Sequence, residues 1–381
     1  MWYYNIGIVL SIFLAILIVS KKNKKLADWI FSAWLIVIGI HIFLAYLFFS
    51  GESFKYGFLL GLESPIPLMH GPFLYLYVKS VSKYRVKLSD ILLHFIPVIL
   101  CYLYLIPFMI QPDNLKILVY TAGGKGYELY GLIQSISVQL SGVIYVLLSM
   151  RVLIVYRKTI RNTLSNLDKI QINWLFFLIL SLACIWIAVI LGNDTIVFFL
   201  AVVNAVLISF IGINYAGVHA SNADIEHIES QLEVNLNTTT IPDLIEFKDF
   251  ATESKVKYEK SSLSDEVAIM IHEQLMQLMS DKKLFTNPDL SLTVLANELD
   301  VNPNRLSQVI NSLEGCSFYD YINRLRIEEF ISKAKNLDNK NFTLLSIAYE
   351  CGYNSKTSFN RNFKNAMKMS PSEYLETMKD R

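Results

Sequence analysis

Seven apolar runs, near residues 3–20, 28–49, 66–81, 91–110, 131–153, 172–192 and 195–217, fill the first 218 residues of this 381-residue chain and limit its folds more than any other feature. A helix needs about 20 apolar residues to cross a hydrocarbon core of ~30 Å. Lipid offers no hydrogen bonds, so each crossing segment must satisfy its own backbone, and runs of this kind read as transmembrane helices. The third run is the irregular one. Pro65, Pro67, Gly71 and Pro72 crowd its start and leave a re-entrant path open. After about Val218 the text turns polar, so the overall hydrophobic fraction of 53% averages two unlike halves.

Loop charge orients the runs, because Lys and Arg collect on the cytoplasmic side. The first loop carries Lys21, Lys22, Lys24 and Lys25; the third Lys79, Lys83, Arg85 and Lys87; the fifth Arg151, Arg157, Lys158, Arg161 and Lys169. The loops between them, near 52–63, 112–128 and 192–194, are poor in basic residues. This alternation implies an outside N-terminus, seven crossings and an inside C-terminus, in the cytoplasmic (inner) membrane of a cell whose chromosome lies on that same side. One crossing fewer would reverse the orientation. The first run has its basic residues after it and no small-residue cleavage site, as a retained anchor would. Trp2, Tyr3, Tyr4, Trp29, Tyr127 and Tyr130 fall at predicted boundaries, where aromatic belts form.

Polar residues fall in or near the spans: His41, His70, His94, Glu63, Asn204 and Asn214. They could line a ligand pocket, since intramembrane ionisable groups are expensive, or they could sit at helix ends and satisfy one another. No pair has the spacing His-x-x-x-His, and no metal site is expected. Cys101, Cys184, Cys316 and Cys351 form neither a CxxC pair nor a disulfide framework.

Residues 219–262 form an acidic linker, with Asp224, Glu226, Glu229, Glu233, Asp243, Glu246, Asp249 and Glu253. Ile225, Ile228 and Leu232 have the spacing of a short coiled coil, and a solvated tether is the alternative. Pairing of two chains as a homodimer stays open.

Helical periodicity returns for residues 263–381. Ser264 can cap a leading helix whose apolar face would be Ile269, Leu275, Leu278 and Met279. Residues 291–311 then have the form of a helix-turn-helix. Ser291 caps a helix with Leu292, Leu295, Ala296 and Leu299 inward; the turn runs through Asp300 and Val301. Asn302 caps a second helix with Pro303 at its first position, held to the core by Leu306, Val309 and Ile310. About 52 residues on, the pattern recurs over 343–367. Thr343 caps, Leu344, Ile347, Ala348 and Cys351 face inward, and Gly352 suits a left-handed turn. Tyr353, Phe359 and Phe363 match Val301, Leu306 and Ile310, with one extra residue after the turn. A helix over 318–334, with Phe318, Tyr321, Ile322, Leu325 and Phe330 buried, joins the units. Its ~25 Å length could set two recognition helices in successive major grooves.

Residues 281–381 hold 14 Lys plus Arg against 13 Asp plus Glu, so the domain is not basic overall. Residues 351–372, however, carry Lys356, Arg361, Lys364 and Lys368 and no acid, a local footprint for phosphate and bases. The expected DNA-binding residues are Asn304, Arg305, Ser307, Gln308 and Asn311 in the first unit, with Lys356, Thr357, Asn360, Arg361 and Lys364 in the second.

The stretches LSQVIN, YDYINRLRIEE, IAYECGYNSKTSFNRNFK and SPSEYL resemble the AraC/XylS family of transcription regulators over about residues 265–380. The resemblance implies an all-α domain of two helix-turn-helix units joined by a long helix, following a seven-helix transmembrane bundle as in membrane-bound bacterial members. It implies sequence-specific double-stranded DNA as partner, with contact to RNA polymerase. Matched positions make Asn304, Ser307 and Gln308 base readers in the first unit, with Lys356, Thr357 and Arg361 in the second. Gln308 would pair with adenine and Arg361 with guanine. Three residues depart from the family pattern: Asp300 replaces Gly in the first turn, Phe330 replaces Ala in the connecting helix, and Lys368 replaces Gly before SPSEY. The whole then reads as a membrane-anchored regulator whose spans sense an unknown signal or ligand. The competing reading is a seven-span receptor or transporter whose C-terminal domain docks a protein. No Walker loop, dinucleotide glycine fingerprint, HExxH or GxSxG occurs, so neither an enzyme nor a cofactor is expected.

Overall fold

The computed structural model describes residues 2–167, 172–218, 265–335 and 343–379. The acidic linker and Ser264 lie outside them. The described residues are helical, with no strand beyond one isolated bridge between Leu164 and Ser291. They divide into two compact units, Met1–Val155 with the described part of Gln171–Thr238, and Tyr156–Ile170 with the described part of Thr239–Arg381.

The first unit contains α1 (Trp2–Val19), α2 (Leu26–Phe49), α3 (Pro67–Val81), α4 (Leu88–Met109), α5 (Asp113–Thr121), most of α6 (Glu128–Thr163), α7 (Ile172–Ile190) and α8 (Asp194–Val218). Six of these are long and apolar enough to cross a membrane: α1, α2, α4, α6, α7 and α8. Their outward faces are as apolar as their inward ones. On α4, Leu92, Leu100 and Leu103 are more than half exposed, as are Leu132, Leu140 and Leu147 on α6. A surface of this kind in water would drive association, whereas a helix apolar all round suits lipid. Ser11 Oγ bonds back to Gly7 O at 2.7 Å and Ser209 Oγ to Ala205 O at 2.8 Å, each satisfied within its own helix.

The third apolar run is a different case. Pro72 lies inside α3, whose 15 residues span about 22 Å, short of a full crossing. Its Leu74, Leu76 and Val78 are nevertheless buried against neighbouring helices. Lys79, read above as a loop charge, lies inside α3 with 2% exposure and donates to Asp90 Oδ2 at 2.7 Å. Desolvation drives that pairing, because an unpaired buried ammonium would be far more costly. Lys83, Arg85 and Lys87 remain as the basic residues of that loop. The loop near 112–128 also holds more order than expected, since α5 occupies its first half.

The second unit contains the end of α6, then α9 (Asp265–Lys282), α10 (Leu292–Glu298), α11 (Pro303–Leu313), α12 (Phe318–Lys335), α13 (Leu344–Glu350), α14 (Lys356–Met367) and α15 (Pro371–Lys379). Ile271, Leu275 and Met279 form the buried face of α9, and Ile269 is exposed. The correction follows from helical spacing: 271, 275 and 279 repeat every four residues, and 269 is off that stripe.

Two cores flank α12. One gathers Leu275, Leu295, Leu306, Ile310 and Ile322; the other gathers Phe330, Ile347, Cys351, Phe359 and Phe363. The first half of α12 faces one core and its second half faces the other, which explains a helix buried on several sides. Phe330, the departure from Ala noted above, is fully buried with its ring 4.7 Å from Phe359 and 5.6 Å from Phe363. Phe330→Ala should destabilise the second unit by about 3–5 kcal/mol. Urea-dependent pulse proteolysis of the purified protein would show a lowered midpoint for fragments from 265–379, with α1 to α8 unaffected.

Candidate nucleic-acid interface

Both helix pairs are built with the same local devices. Ser291 Oγ accepts from Val294 N at 3.3 Å and Thr343 Oγ1 from Ser346 N at 3.1 Å, capping α10 and α13. Each first helix then ends through a left-handed residue. Asp300 has φ +52°; its N–H donates to Asn297 O at 3.2 Å, and Val301 N–H donates to Ala296 O at 3.0 Å. Gly352 has φ +95°; its N–H donates to Tyr349 O at 3.0 Å, and Tyr353 N–H donates to Ala348 O at 3.1 Å. This pair of reverse bonds is the Schellman closure, made twice. Ala296 and Ala348 are fully buried at the closures, where a larger side chain would part the helices.

The second helix of each pair is capped in turn. Asn302 Oδ1 accepts from Asn304 N at 2.8 Å before Pro303 starts α11, and Ser355 Oγ accepts from Ser358 N at 3.1 Å before α14. On α14, Lys356, Thr357, Asn360, Arg361 and Lys364 are all exposed and share one face, opposite buried Phe359 and Phe363. On α11, Asn304 and Arg305 are exposed, while Ser307 and Gln308 are half-buried. Asn311 is turned back on its own helix, its Nδ2 donating to Ser307 O at 2.7 Å. Lys368 ends α14 at φ +61°, where the family pattern noted above has Gly.

A polar layer lies beneath the α14 face. Tyr319 and Asn362 are buried and bonded, with Asn362 Nδ2 2.8 Å from Tyr319 Oη and 3.1 Å from Asn323 Oδ1. Arg361 donates to Tyr319 Oη at 3.2 Å. The doubled pattern held a clue to this layer, because Asn362 occupies the position of Val309 in the first unit and a polar residue there needs partners.

The described part of Tyr156–Ile170, the end of α6 and the residues just after it, packs within this unit. Ile160 and Leu164 are buried, and Ser165 Oγ donates to Leu290 O at 2.6 Å. Arg161 donates to both carboxylate oxygens of Asp320, at 2.6 and 2.8 Å, and its guanidinium lies 5.5 Å from the Tyr319 ring centre. Burial works to raise the Asp320 carboxyl, but hydrogen bonds from Arg161 and Ser317 outweigh it and hold the group below its ordinary value.

Arg326 ties this segment to the rest. It is 1% exposed, and among the described residues no carboxylate lies at ion-pair distance. Its donors reach Phe285 O at 2.7 Å, Asn287 O at 2.8 Å, and Ser165 O and Oγ at 3.2 Å each. Burial pulls the guanidinium down to about 10, so it stays charged at neutral pH. Arg326 lies within the stretch YDYINRLRIEE, but no motif announced Ser165 or the role of Arg326, because their partners are backbone carbonyls distant in sequence.

The intramembrane polar residues separate into groups. His41 Nδ1 and His70 Nε2 are 2.9 Å apart, and His94 bonds elsewhere, to Tyr145 Oη at 3.0 Å. Glu63 accepts from the Tyr120 hydroxyl and from Gly61 N. The side chain of Asn214 lies outside the described residues. Among those residues no three His, Cys, Asp or Glu gather as metal ligands.

Residues 295–377 match the family described as a helix-turn-helix domain and form an AraC-type helix-turn-helix domain. Over 102 residues the chain is 28% identical to a probable transcription factor, PqrA, of Proteus vulgaris; the match covers 26% of this chain and 81% of that protein. No solved structure matches the chain.

A Cβ on Gly352 would come within 2.6 Å of Phe285 O and 2.8 Å of Thr286 O. Gly352→Ala therefore combines left-handed strain with a backbone clash and should destabilise the unit by about 2 kcal/mol. Asp300→Gly, at the equivalent turn, should shift stability by no more than about 1 kcal/mol. The same pulse-proteolysis midpoints measure both.

Proposed function

We propose that the chain is a membrane-anchored, sequence-specific DNA-binding transcription regulator, not an enzyme, in which the membrane half is the sensor. Residues 1–218 form the membrane domain, with seven crossings, α3 included as a short one enclosed by its neighbours. Residues 219–262 form the linker and 263–381 the DNA-binding domain. The observation that carries the sensor reading is the docking of Tyr156–Ile170 within the second unit, through Arg161, Leu164 and Ser165. The end of α6, with the residues just after it, contributes buried side chains to the helix-turn-helix unit, so one continuous helix belongs to both units.

The same contact supports the orientation. A segment before α7 and a domain after α8 can meet only on one side of the membrane, which two consecutive crossings provide. This relation is independent of α3. The basic residues Arg151, Arg157, Lys158 and Arg161 then assign that side to the cytoplasm.

On DNA, α11 and α14 are the reading helices. Asn304, Ser307 and Gln308 read bases from α11, with Arg305 on phosphate and Asn311 holding Ser307 in place. Lys356, Thr357 and Arg361 read bases from α14, with Lys364 on phosphate and Asn360 on the same face. Tyr319 is in contact with both Arg161 and Arg361, so the side chain facing the loop also positions the expected guanine reader. RNA polymerase contact and homodimerisation belong to the same reading.

Genome-wide occupancy of the tagged full-length protein tests it. A defined sequence should be enriched, and Arg361→Ala should lower its occupancy tenfold or more, since one bidentate base contact is worth about 1–3 kcal/mol. Lys364→Ala should weaken binding to all sequences and reduce the salt slope by about 1. Single cysteines placed at Lys158 and Lys125, both exposed, report orientation: an impermeant maleimide should label only the second in intact cells. Occupancy that does not exceed bulk DNA would refute the regulator reading.

A further inference from the structure

Within the first unit, α2, α3, α6, α7 and α8 enclose a cavity of about 340 Å³, inside the ~300–1,000 Å³ range of small-molecule sites. Its wall is mostly apolar, with Ile38, Val138, Leu178, Ile185, Phe198 and Ala201 among the lining residues. Its polar groups include Gln134, Ser135 and Gln139 of α6 and two directional sets.

One set is a relay. Trp34 Nε1 donates to His70 Nδ1 at 3.2 Å, and His70 Nε2 is 2.9 Å from His41 Nδ1. An indole can only donate, so His70 Nδ1 is an acceptor and the ring's proton is on Nε2, given to His41. Both rings are therefore neutral, with the His41 proton on Nε2. The other set is incomplete. Ser181 Oγ donates to Leu178 O at 3.1 Å and accepts from Asn204 Nδ2 at 3.1 Å, which orients the amide and leaves Asn204 Oδ1 as an acceptor. Asn204 is 9% exposed and Trp186 5%, yet neither Asn204 Oδ1 nor Trp186 Nε1 has a partner among the described residues. The Trp186 ring sits over Gly142 of α6, where a Cβ would come within 2.1 Å of it, so packing holds the indole in place. Buried polar atoms are rarely left unmatched, and a donor and an acceptor unmatched on one cavity wall describe what must fill it. No lysine or arginine lines the cavity, and its one acid, Asp194, is exposed at the start of α8. A charged occupant therefore has no counter-charge inside.

We propose that this cavity binds a neutral amphipathic small molecule, an apolar body carrying one hydroxyl or amide head that accepts from Trp186 Nε1–H and donates to Asn204 Oδ1. Such a molecule is the class of signal that the regulator proposed above would sense. The site rests on that reading only for its consequence, because binding is read on the protein itself.

The test uses the full-length protein in phosphatidylcholine nanodiscs and two photoprobes, octanol and octane each bearing a diazirine. Labelling is normalised to that of lipid-facing α4. The octanol probe should label residues of α7 and α8 on the cavity wall, in competition with plain octanol, and the octane probe should label them roughly fivefold less. Trp186→Phe and Asn204→Leu should each lower octanol labelling about fivefold and leave octane labelling unchanged. Ala201→Phe, which fills the space, should abolish both. Equal labelling by the two probes in the wild-type protein, as a lipid chain-filled cavity would give, overturns the proposal without recourse to any variant. So does octanol labelling that is indifferent to Trp186→Phe and Asn204→Leu in monodisperse protein. Genomic occupancy lost while labelling persists would refute the regulator and leave the site standing.

Discussion

The second unit is organised around a buried guanidinium. Desolvating a charge costs several kcal/mol even after relaxation, and Arg326 meets that cost without a carboxylate. Its acceptors are the carbonyls of Phe285, Asn287 and Ser165, with the Ser165 hydroxyl and the face of Tyr353 beside them. These come from three segments: the turn before α10, the start of the loop after α6, and the closure of α13. A group with five donors in a fixed plane can hold three segments at once, which a lysine could not. The narrow space at Gly352, bounded by Phe285 O, Thr286 O and Arg326 Nε, is a further result of that convergence.

The membrane unit obeys the opposite rule. There the surrounding medium offers no hydrogen bonds, so polar side chains turn back onto their own helices or pair between them, as Ser11, Ser209 and the Lys79–Asp90 pair do. Among the buried side-chain atoms without a partner in the described residues, Asn204 Oδ1 and Trp186 Nε1 belong to residues that line the cavity. In water-facing protein an unpaired polar atom is readily hydrated; on a cavity wall among apolar helices it is matched by whatever fills the cavity, a buried water or a ligand.

Much of the fold was legible in advance because its signals are local. Span-length apolar runs, the caps Ser291, Asn302 and Thr343, the left-handed turn at Gly352 and the inward positions of both helix pairs each depend on residues within one or two helical turns. The exceptions have particular causes. Ile269 departs from the expected α9 face because Leu275, Leu278 and Met279 leave the phase of the stripe open by two residues, and Ile271 takes the buried position. Lys79 was counted with a loop because its partner, Asp90, lies on the next helix. Asn311 is directed at Ser307 by a bond within its own helix, a choice that spacing alone leaves open.

By itself, then, the sequence determined which segments are helical, which are apolar enough for lipid, and where one motif occurs twice. These are consequences of periodicity, capping and hydropathy, all short-range. Tertiary structure alone decided that the end of α6 with Arg161, and Ser165 just after it, join the helix-turn-helix unit, that His41 meets His70 and not His94, and that Asn204 and Trp186 share a cavity. Those outcomes depend on which distant carbonyl, ring or side chain arrives at hydrogen-bond distance, and packing sets that, not the pattern of any one segment.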